Sequence, residues 1–298
     1  MLPPGLKQGD KVALLSTARK ITTGELGFAI DLLSGWGLDV VIGKTIGKSH
    51  HQFAGTESER LEDFQSMLDD TTIKAIFCAR GGYGTTQIID RLDFSRFSQF
   101  PKWIVGYSDI TVLHNHIHTQ LNIATIHATM PVNFAQNTSE ALETLRQALF
   151  GNLPDYRIPA NPLNRTGVAS GNLIGGNLSL LYALIGTPSD ILTNSKILFL
   201  EDLDEYLYHI DRMMNALKRS GKLQHLAGLI VGGFTEMRDN AIPFGETAED
   251  IIARYSGAYS FPVTFGFPAG HISDNRALVM GMPVTLKVSD SFAEISFD

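Results

Sequence analysis

The sequence is poor in cysteine and contains no long apolar run. Cys78 is the only cysteine among 298 residues, so the chain cannot form an intrachain disulfide. It lies in the apolar run 76–79 and is interpreted as a small buried side chain. No apolar stretch reaches the roughly 20 residues that a membrane-spanning helix needs, and the N-terminus lacks the layout of a signal peptide. These absences favour a cytoplasmic protein without membrane contact, in a compartment where thiols stay reduced.

Charged residues are also few, and their balance is acidic. They make up 18% of the chain, and the net charge is −7, with no basic stripe of the kind that binds nucleic acid. Hydrophobic residues make up 44%, which is enough for one large domain or two ordinary ones. The composition therefore predicts a globular protein that acts on small molecules or peptides and binds no nucleic acid.

Apolar runs and helical patterns alternate in the first half of the chain. The predicted elements are strands at 12–16, 38–42, 73–79 and 102–106, and helices at 24–36, 56–69, 85–92 and 109–121. This alternation predicts an α/β fold with a parallel sheet covered by helices, like the flavodoxin and Rossmann folds. Ligands bind such sheets beyond the carboxyl ends of the strands. The segments 80–84 and 107–109 should therefore lie side by side at that edge.

The pattern changes at 151–167, where three prolines, three asparagines and two glycines indicate a linker. We predict an N-terminal α/β domain at 1–155, a linker at 156–167 and a swivelling, β-rich C-terminal domain at 168–298. In the last of these, a strand at 196–200 should end at Glu201, and a helix should follow at 206–219.

Ser108, in Gly106-Tyr107-Ser108-Asp109, follows a predicted strand and precedes a predicted helix. A serine at such a turn can project its hydroxyl as a nucleophile, beside N–H groups that can hold an oxyanion. The match to G-x-S-x-G is partial, because Ile110 stands where the motif has glycine. A helix N-cap is the structural alternative for this serine.

The glycine-rich segment Arg80-Gly81-Gly82-Tyr83-Gly84 follows the neighbouring strand. Its backbone could approach a ligand closely and form an oxyanion hole or bind a carboxylate, and Arg80 could pair with a substrate carboxylate. A phosphate loop is the rival interpretation, although GxGxxG and a following Lys-Ser/Thr are both missing. A tight strand-to-helix turn is the structural alternative.

Two residues of the second half could act with a serine. Glu201 ends an apolar run and could orient a histidine, although a solvated acidic loop is the alternative. His271 lies in a loop marked by proline and glycine and is a candidate general base, although it could be structural. Among the other histidines, His114 and His118 share a predicted helix face with the spacing of metal ligands. The glutamate of HExxH and a third ligand are missing, so no metal is expected there or at His116.

Taken together, these segments resemble the LD-carboxypeptidase family of serine peptidases, in order along nearly the whole chain. The motifs are Ala79-Arg80-Gly81-Gly82-Tyr83-Gly84, Gly106-Tyr107-Ser108-Asp109, Gly175-Gly176-Asn177-Leu178-Ser179-Leu180-Leu181, Leu200-Glu201-Asp202, Ile210-Asp211-Arg212 and Gly270-His271.

The resemblance implies a Ser108–Glu201–His271 triad. Ser108 would be the nucleophile, His271 the general base and Glu201 the residue that orients it. The backbone N–H groups of Gly82 and Asp109 would form the oxyanion hole. Arg80, Gly81 and Tyr83 are candidates for substrate binding. Glu205 is an alternative triad acid, but Glu201 is preferred because it directly ends the strand.

The family hydrolyses the L,D peptide bond that releases the terminal D-alanine from murein tetrapeptide during cell-wall recycling. A related branch, similar to microcin C immunity proteins, cleaves an aminoacyl-nucleotide amide, and a non-catalytic peptide-binding protein is a further alternative. The compact length favours the murein peptide as substrate. No cofactor is implied, because triad chemistry needs none, and a homodimer is expected because many members form one.

Overall fold

The computed structural model describes residues 1–297, which form two sheets with helices packed against them. The strands are β1 Lys11–Leu15, β2 Asp39–Ile42, β3 Ile73–Cys78, β4 Trp103–Gly106, β5 Thr125–His127, β6 Tyr156–Pro159, β7 Gly167–Asn177, β8 Ile197–Leu203, β9 Gly228–Thr235, β10 Val263–Phe265, β11 Leu278–Met280, β12 Pro283–Val288 and β13 Phe292–Phe297. The helices are α1 Gly27–Gly35, α2 Glu57–Asp69, α3 Ser95–Gln99, α4 Thr111–Leu121, α5 Ser139–Leu149, α6 Leu178–Leu184, α7 Leu207–Arg219 and α8 Ala248–Ser256. No helix within 1–297 combines the length and apolarity that crossing a membrane requires.

The first sheet has the strand order β11-β5-β4-β3-β1-β2. Strands β1 to β5 are parallel, and β11 joins β5 in the antiparallel sense. The order 2-1-3-4-5 is that of flavodoxin, in which the ligand lies where the strand order reverses, between β1 and β3. The predicted α/β fold with a parallel N-terminal sheet is confirmed, and so is the β-rich C-terminal part.

The second sheet has the order β10-β9-β8-β7-β12-β13-β6. Its first four strands are parallel and the other three are antiparallel. Leucine, isoleucine, valine and phenylalanine side chains fill the core between this sheet and the helices α6 to α8. Antiparallel strands can return through short turns, which explains why this half contains more strand than helix.

Local sequence explains several of the element boundaries. The Thr56 side chain accepts a hydrogen bond from the N–H of Glu59, whose carboxylate accepts one from the N–H of Thr56. This capping box starts α2 where the helix was predicted. The predicted helix at 85–92 is wrong: the chain forms two short 3₁₀ turns there, at Thr85–Gln87 and Ile89–Arg91. Adjacent β-branched residues weaken the helical preference of this segment.

Three further differences concern the second half. The predicted linker at 156–167 contains β6, which pairs with β13 because Tyr156 and Ile158 alternate into the core. Strand β8 continues past Glu201 to Leu203 instead of ending there. The start of the C-terminal tail crosses to the first sheet as β11, where Leu278 pairs with His127.

Candidate active site

Ser108 lies at the carboxyl end of β4, where it is the second residue after the strand and follows Tyr107. Its φ is +62°, an uncommon conformation for a residue that has a side chain. A 3₁₀ turn over Ser108–Ile110 then leads directly into α4. The arrangement is a sharp strand-to-helix turn, and backbone strain of this kind is concentrated at functional sites.

The glycine-rich segment lies directly beside Ser108, as expected for the ends of adjacent parallel strands. A Cβ placed on Gly81 would lie 3.1 Å from Cβ and 3.3 Å from Oγ of Ser108, and 3.1 Å from Cε of Met130. Gly82 has a φ of +112°, which favours glycine. Within 1–297, the backbone N–H groups of Gly82 and Asp109 donate no hydrogen bond. Two donors therefore remain available beside the serine.

Asp109 also fixes this segment through its side chain. The carboxylate is fully buried and accepts a hydrogen bond from the backbone N–H of Thr85, 2.8 Å away. Burial raises the pKa of Asp109, although hydrogen bonds from Thr85 and the charge of Arg60 oppose the shift.

Arg60 of α2 holds the other side of the same segment. Its buried guanidinium donates to the carbonyls of Thr17 and Gly84, at 2.6 and 2.9 Å, and lies over the ring of Phe53. Sequence reasoning missed this residue. The available signal was its spacing, because Arg60 shares one face of α2 with Phe64 at i+4, and an arginine on an apolar stripe is often buried with partners.

Glu201 and His271 form a close pair in the second half of the chain. Nδ1 of His271 lies 2.6 Å from Oε2 of Glu201, whose side chain is 0% exposed, whereas that of His271 is 12% exposed. The β8–β9 register shifts between Leu200 and Asp202, and such a bulge changes the direction in which a side chain points. Oε1 of Glu201 has no hydrogen-bond partner among residues 1–297.

The electrostatics of this pair favour a basic imidazole. Burial lowers the pKa of His271, but the charge and the hydrogen bond of Glu201 outweigh it and raise the pKa above the ordinary value. Because Nδ1 faces the carboxylate, the neutral ring carries its proton there and leaves Nε2 as the acceptor. No group in the described part of the chain hydrogen-bonds to Nε2. The pair can therefore accept a proton on a free nitrogen.

The N-terminal half of the chain, which carries Ser108, meets the C-terminal half, which carries His271, at this site. The rings of Tyr107 and His271 have centroids 4.7 Å apart, which places the histidine next to the residue that precedes Ser108. The Ser108 hydroxyl makes no hydrogen bond to His271 or to any other residue of 1–297. The structure therefore brings the three residues of the predicted triad into one region, with Glu201 and His271 in direct contact.

The Gly175-Gly176-Asn177 motif connects the second sheet to the helix that follows Ser108. A Cβ on Gly176 would lie 2.6 Å from Oγ1 of Thr111 in α4, so only glycine allows this approach. The N–H of Asn177 donates to the same hydroxyl at 3.0 Å, and Asn115 of α4 donates to the carbonyl of Gly175 at 3.3 Å. The motif thus docks one half of the site onto the other.

Other candidate residues have different surroundings. Glu205 contacts His209, with 2.5 Å between Oε2 and Nδ1, and so is already paired away from His271. Arg80 reaches the carbonyl of Lys20 at 3.4 Å and Glu25 at 3.5 Å. Tyr83 is 50% exposed and lies 6.2 Å from the ring of Phe53, centroid to centroid.

The three histidines of α4 serve separate contacts. His114 is buried between Oγ1 of Thr125 and the carbonyl of Gly106, each 2.8 Å away, and burial lowers its pKa to about 4. His116 contacts Ser189, and burial lowers the pKa of His118 to about 4. In the described ranges, no three His, Cys, Asp or Glu side chains are grouped as metal ligands would be. Cys78 is buried, as predicted.

Comparison with known proteins identifies the family. Residues 12–128 match the model of the LD-carboxypeptidase N-terminal domain, and residues 170–286 match that of the LD-carboxypeptidase C-terminal domain. A protein of Bacillus subtilis named "probable murein peptide carboxypeptidase" is 36% identical, over 98% of this chain and 93% of that protein. The murein tetrapeptide carboxypeptidase of Pseudomonas aeruginosa is 30% identical, over 93% of each.

Solved structures agree with this assignment. The muramoyltetrapeptide carboxypeptidase from Oxalobacter formigenes superposes with a TM-score of 0.86 at 26% identity, over 96% of this chain and 98% of that one. The microcin C7 self immunity protein MccF, solved with aspartyl sulfamoyl adenosine, gives 0.88 at 21% identity, over 99% and 98%, a likeness in fold alone. The resemblance found in the motifs is confirmed, and the chain belongs to the LD-carboxypeptidase family.

Proposed function

We propose that this protein is a serine carboxypeptidase that hydrolyses the L,D peptide bond of murein tetrapeptide and releases the terminal D-alanine. The observation that carries the proposal is the buried Glu201–His271 pair, whose imidazole lies against the residue that precedes Ser108. Two relatives whose names specify murein peptides, at 36% and 30% identity over nearly the whole chain, support this substrate.

In the proposed mechanism, Oγ of Ser108 attacks the scissile carbonyl carbon while Nε2 of His271 takes the hydroxyl proton. Glu201 stabilises the imidazolium that forms, because its carboxylate faces Nδ1. The carbonyl oxygen becomes an oxyanion and accepts hydrogen bonds from the N–H groups of Gly82 and Asp109. Since Ser108 and His271 are not hydrogen-bonded, this step requires a rotation of the Ser108 side chain or a small loop shift.

Collapse of the tetrahedral intermediate breaks the C–N bond. The amine of D-alanine leaves with the proton that Nε2 of His271 carried, and the tripeptide stays esterified to Ser108. Water then attacks the ester and loses a proton to the same nitrogen. That proton returns to Oγ when the tripeptide leaves, which restores the free enzyme.

The direct test is incubation with murein tetrapeptide and quantification of D-alanine. Ser108→Ala should abolish release without unfolding the protein, whereas Ser34→Ala, an exposed serine of α1, should leave it unchanged. Wild-type protein that releases no D-alanine, beside an active relative, would refute the proposal. Release by Ser108→Ala would exclude Ser108 as the nucleophile.

The same assay separates the alternatives. An aminoacyl sulfamoyl adenosine offered beside the tetrapeptide should be cleaved much more slowly, and the reverse order would indicate an immunity-type hydrolase. Binding of tetrapeptide without turnover of either compound would indicate a peptide-binding protein.

We also propose that the enzyme works in the cytoplasm as a homodimer. Light scattering should then give a mass twice the 32.6 kDa of one chain, and fractionation should place the protein with cytoplasmic markers. A monomeric mass at micromolar concentration would exclude the dimer.

A further inference from the structure

A free guanidinium lies over the segment proposed to hold the oxyanion. Arg19 follows β1, and a Cβ placed on Gly82 would lie 2.7 Å from its Cγ and Cδ and 2.9 Å from its Nε. The side chain is exposed and makes no hydrogen bond, ion pair or ring contact with any residue of 1–297. This cation therefore remains available for a ligand.

The backbone of Arg19, in contrast, is held on several sides. Its carbonyl accepts a hydrogen bond from Oγ of Ser16 at 2.7 Å, and its N–H donates to the carbonyl of Gly81 at 3.4 Å. It also forms an antiparallel bridge with Phe53. A fixed main chain with a free charged end suits a binding group, because only the side chain has to be ordered when the ligand arrives, at a cost of about 0.5–1.5 kcal/mol.

The position in the sheet agrees with such a role. Arg19 belongs to the loop after β1, and Gly82 to the loop after β3, so both lie where the strand order of the first sheet reverses. This is the edge at which flavodoxin-like sheets bind their ligands. The neighbouring cation Arg80 already contacts Glu25 and the carbonyl of Lys20, so Arg19 is the better candidate for an anion.

We propose that Arg19 binds the terminal carboxylate of the peptide, on the residue that leaves as the free amino acid. The inference rests on the proposed carboxypeptidase function and adds the group that recognises the chain end. Standard backbone geometry places the terminal carboxylate carbon only about 3–4 Å from the scissile carbonyl carbon. If Gly82 holds the oxyanion, the carboxylate must lie close to the same loop, within reach of the Arg19 fork. Guanidinium groups bind carboxylates through two parallel hydrogen bonds.

The experiment compares two substrates that differ only at the chain end. One is the tetrapeptide with its free carboxylate, and the other is the same peptide with a terminal carboxamide, which would release D-alaninamide. Wild-type enzyme should prefer the acid by about 100-fold in kcat/KM, since the amide loses a charge-assisted, two-bond contact.

Arg19→Ala should lower kcat/KM for the acid by about 100-fold and leave the amide within about threefold, because the lost contact exists only with the acid. Arg19→Lys should restore part of the preference, because an ammonium keeps the charge but loses the fork. Lys20→Ala is the matched control, as Lys20 is the adjacent exposed cation and its side chain hydrogen-bonds only to Ser49, at 3.4 Å. It should keep the wild-type ratio.

Two results would overturn the inference while leaving the carboxypeptidase function intact. One is an unchanged acid-to-amide ratio in Arg19→Ala, whether kcat/KM stays the same or falls equally on both substrates, and the other is a lost preference in Lys20→Ala. Wild-type enzyme that hydrolyses neither peptide would remove the proposed function and this inference together. The two failures are thus distinguished by the activity of the wild type alone.

Discussion

Glu201→Gln tests the electrostatic core of the proposed mechanism. The substitution keeps the size of the side chain and removes the charge that faces Nδ1 of His271 at 2.6 Å. Two unit charges about 4 Å apart interact by about 4 kcal/mol at an effective dielectric constant of about 20. Because this attraction exists only when His271 is protonated, its loss falls on the step in which the imidazolium forms. At about 1.4 kcal/mol per factor of ten, kcat/KM should fall roughly a thousandfold.

The pH profile supplies a second readout with a defined sign. The general base must be neutral, so kcat/KM should rise with pH through the pKa of His271. Glu201 raises that pKa above its ordinary value, so the midpoint of the wild-type acid limb should lie above about 6.5. In Glu201→Gln the charge is gone while the burial remains, so the midpoint should move to lower pH. Wild type and Glu201→Gln are therefore compared near pH 8, on the plateau of kcat/KM above the acid limb.

The matched control is Glu205→Gln, which disrupts a similar carboxylate–imidazole pair with His209 outside the site. It should change kcat/KM by less than a factor of about two, because its pair is partly exposed and such pairs contribute little. Melting temperatures report whether either variant is misfolded. Glu201→Gln that stays folded and keeps kcat/KM within tenfold of wild type would refute the role of the carboxylate, as would an acid limb that does not move.

Two further predictions concern stability, measured by urea denaturation. Arg60→Met should lower the free energy of unfolding by about 2–4 kcal/mol, since two buried carbonyls lose a charged donor, whereas Arg91→Met, at an exposed ion pair, should change it by less than about 0.5 kcal/mol. Gly176→Ala should cost more than Gly186→Ala: both have positive φ, but only the first Cβ meets an atom, Oγ1 of Thr111 at 2.6 Å. Equal losses within either pair would contradict the packing argument.

The N-terminal sheet and the placement of its loops could be predicted from sequence because parallel strands constrain them strongly. Once 73–79 and 102–106 are interpreted as neighbouring strands, their carboxyl ends must meet at one edge. The contact between Gly81 and Ser108 follows from that pairing. No detail of side-chain packing was needed for this part of the site.

Other features depend on pairing between distant segments, which periodicity does not report. Strand β11 has only three residues and joins β5, about 150 residues earlier in the sequence, so nothing local marks its partner. Glu201 lies inside β8, and a register shift against β9 decides which way it points. Arg19 belongs to no motif, and its significance depends on the position of Gly82, 63 residues later in the chain.

The two halves of the site are joined by more than surface contact, and this bears on the predicted swivelling of the second domain. His271 lies between β10 of the second sheet and β11 of the first, so the chain that carries the proposed base ends as a strand beside β5. The same loop is tied to the first half through Asn137, which donates to the carbonyl of Ser273 at 2.7 Å, and through Thr138, which donates to Asp274 at 3.0 Å. A large rotation of the second domain would break a strand pairing and these bonds together. The structure therefore favours a site whose halves stay docked during turnover, with the approach of Ser108 to His271 achieved by a local side-chain or loop movement.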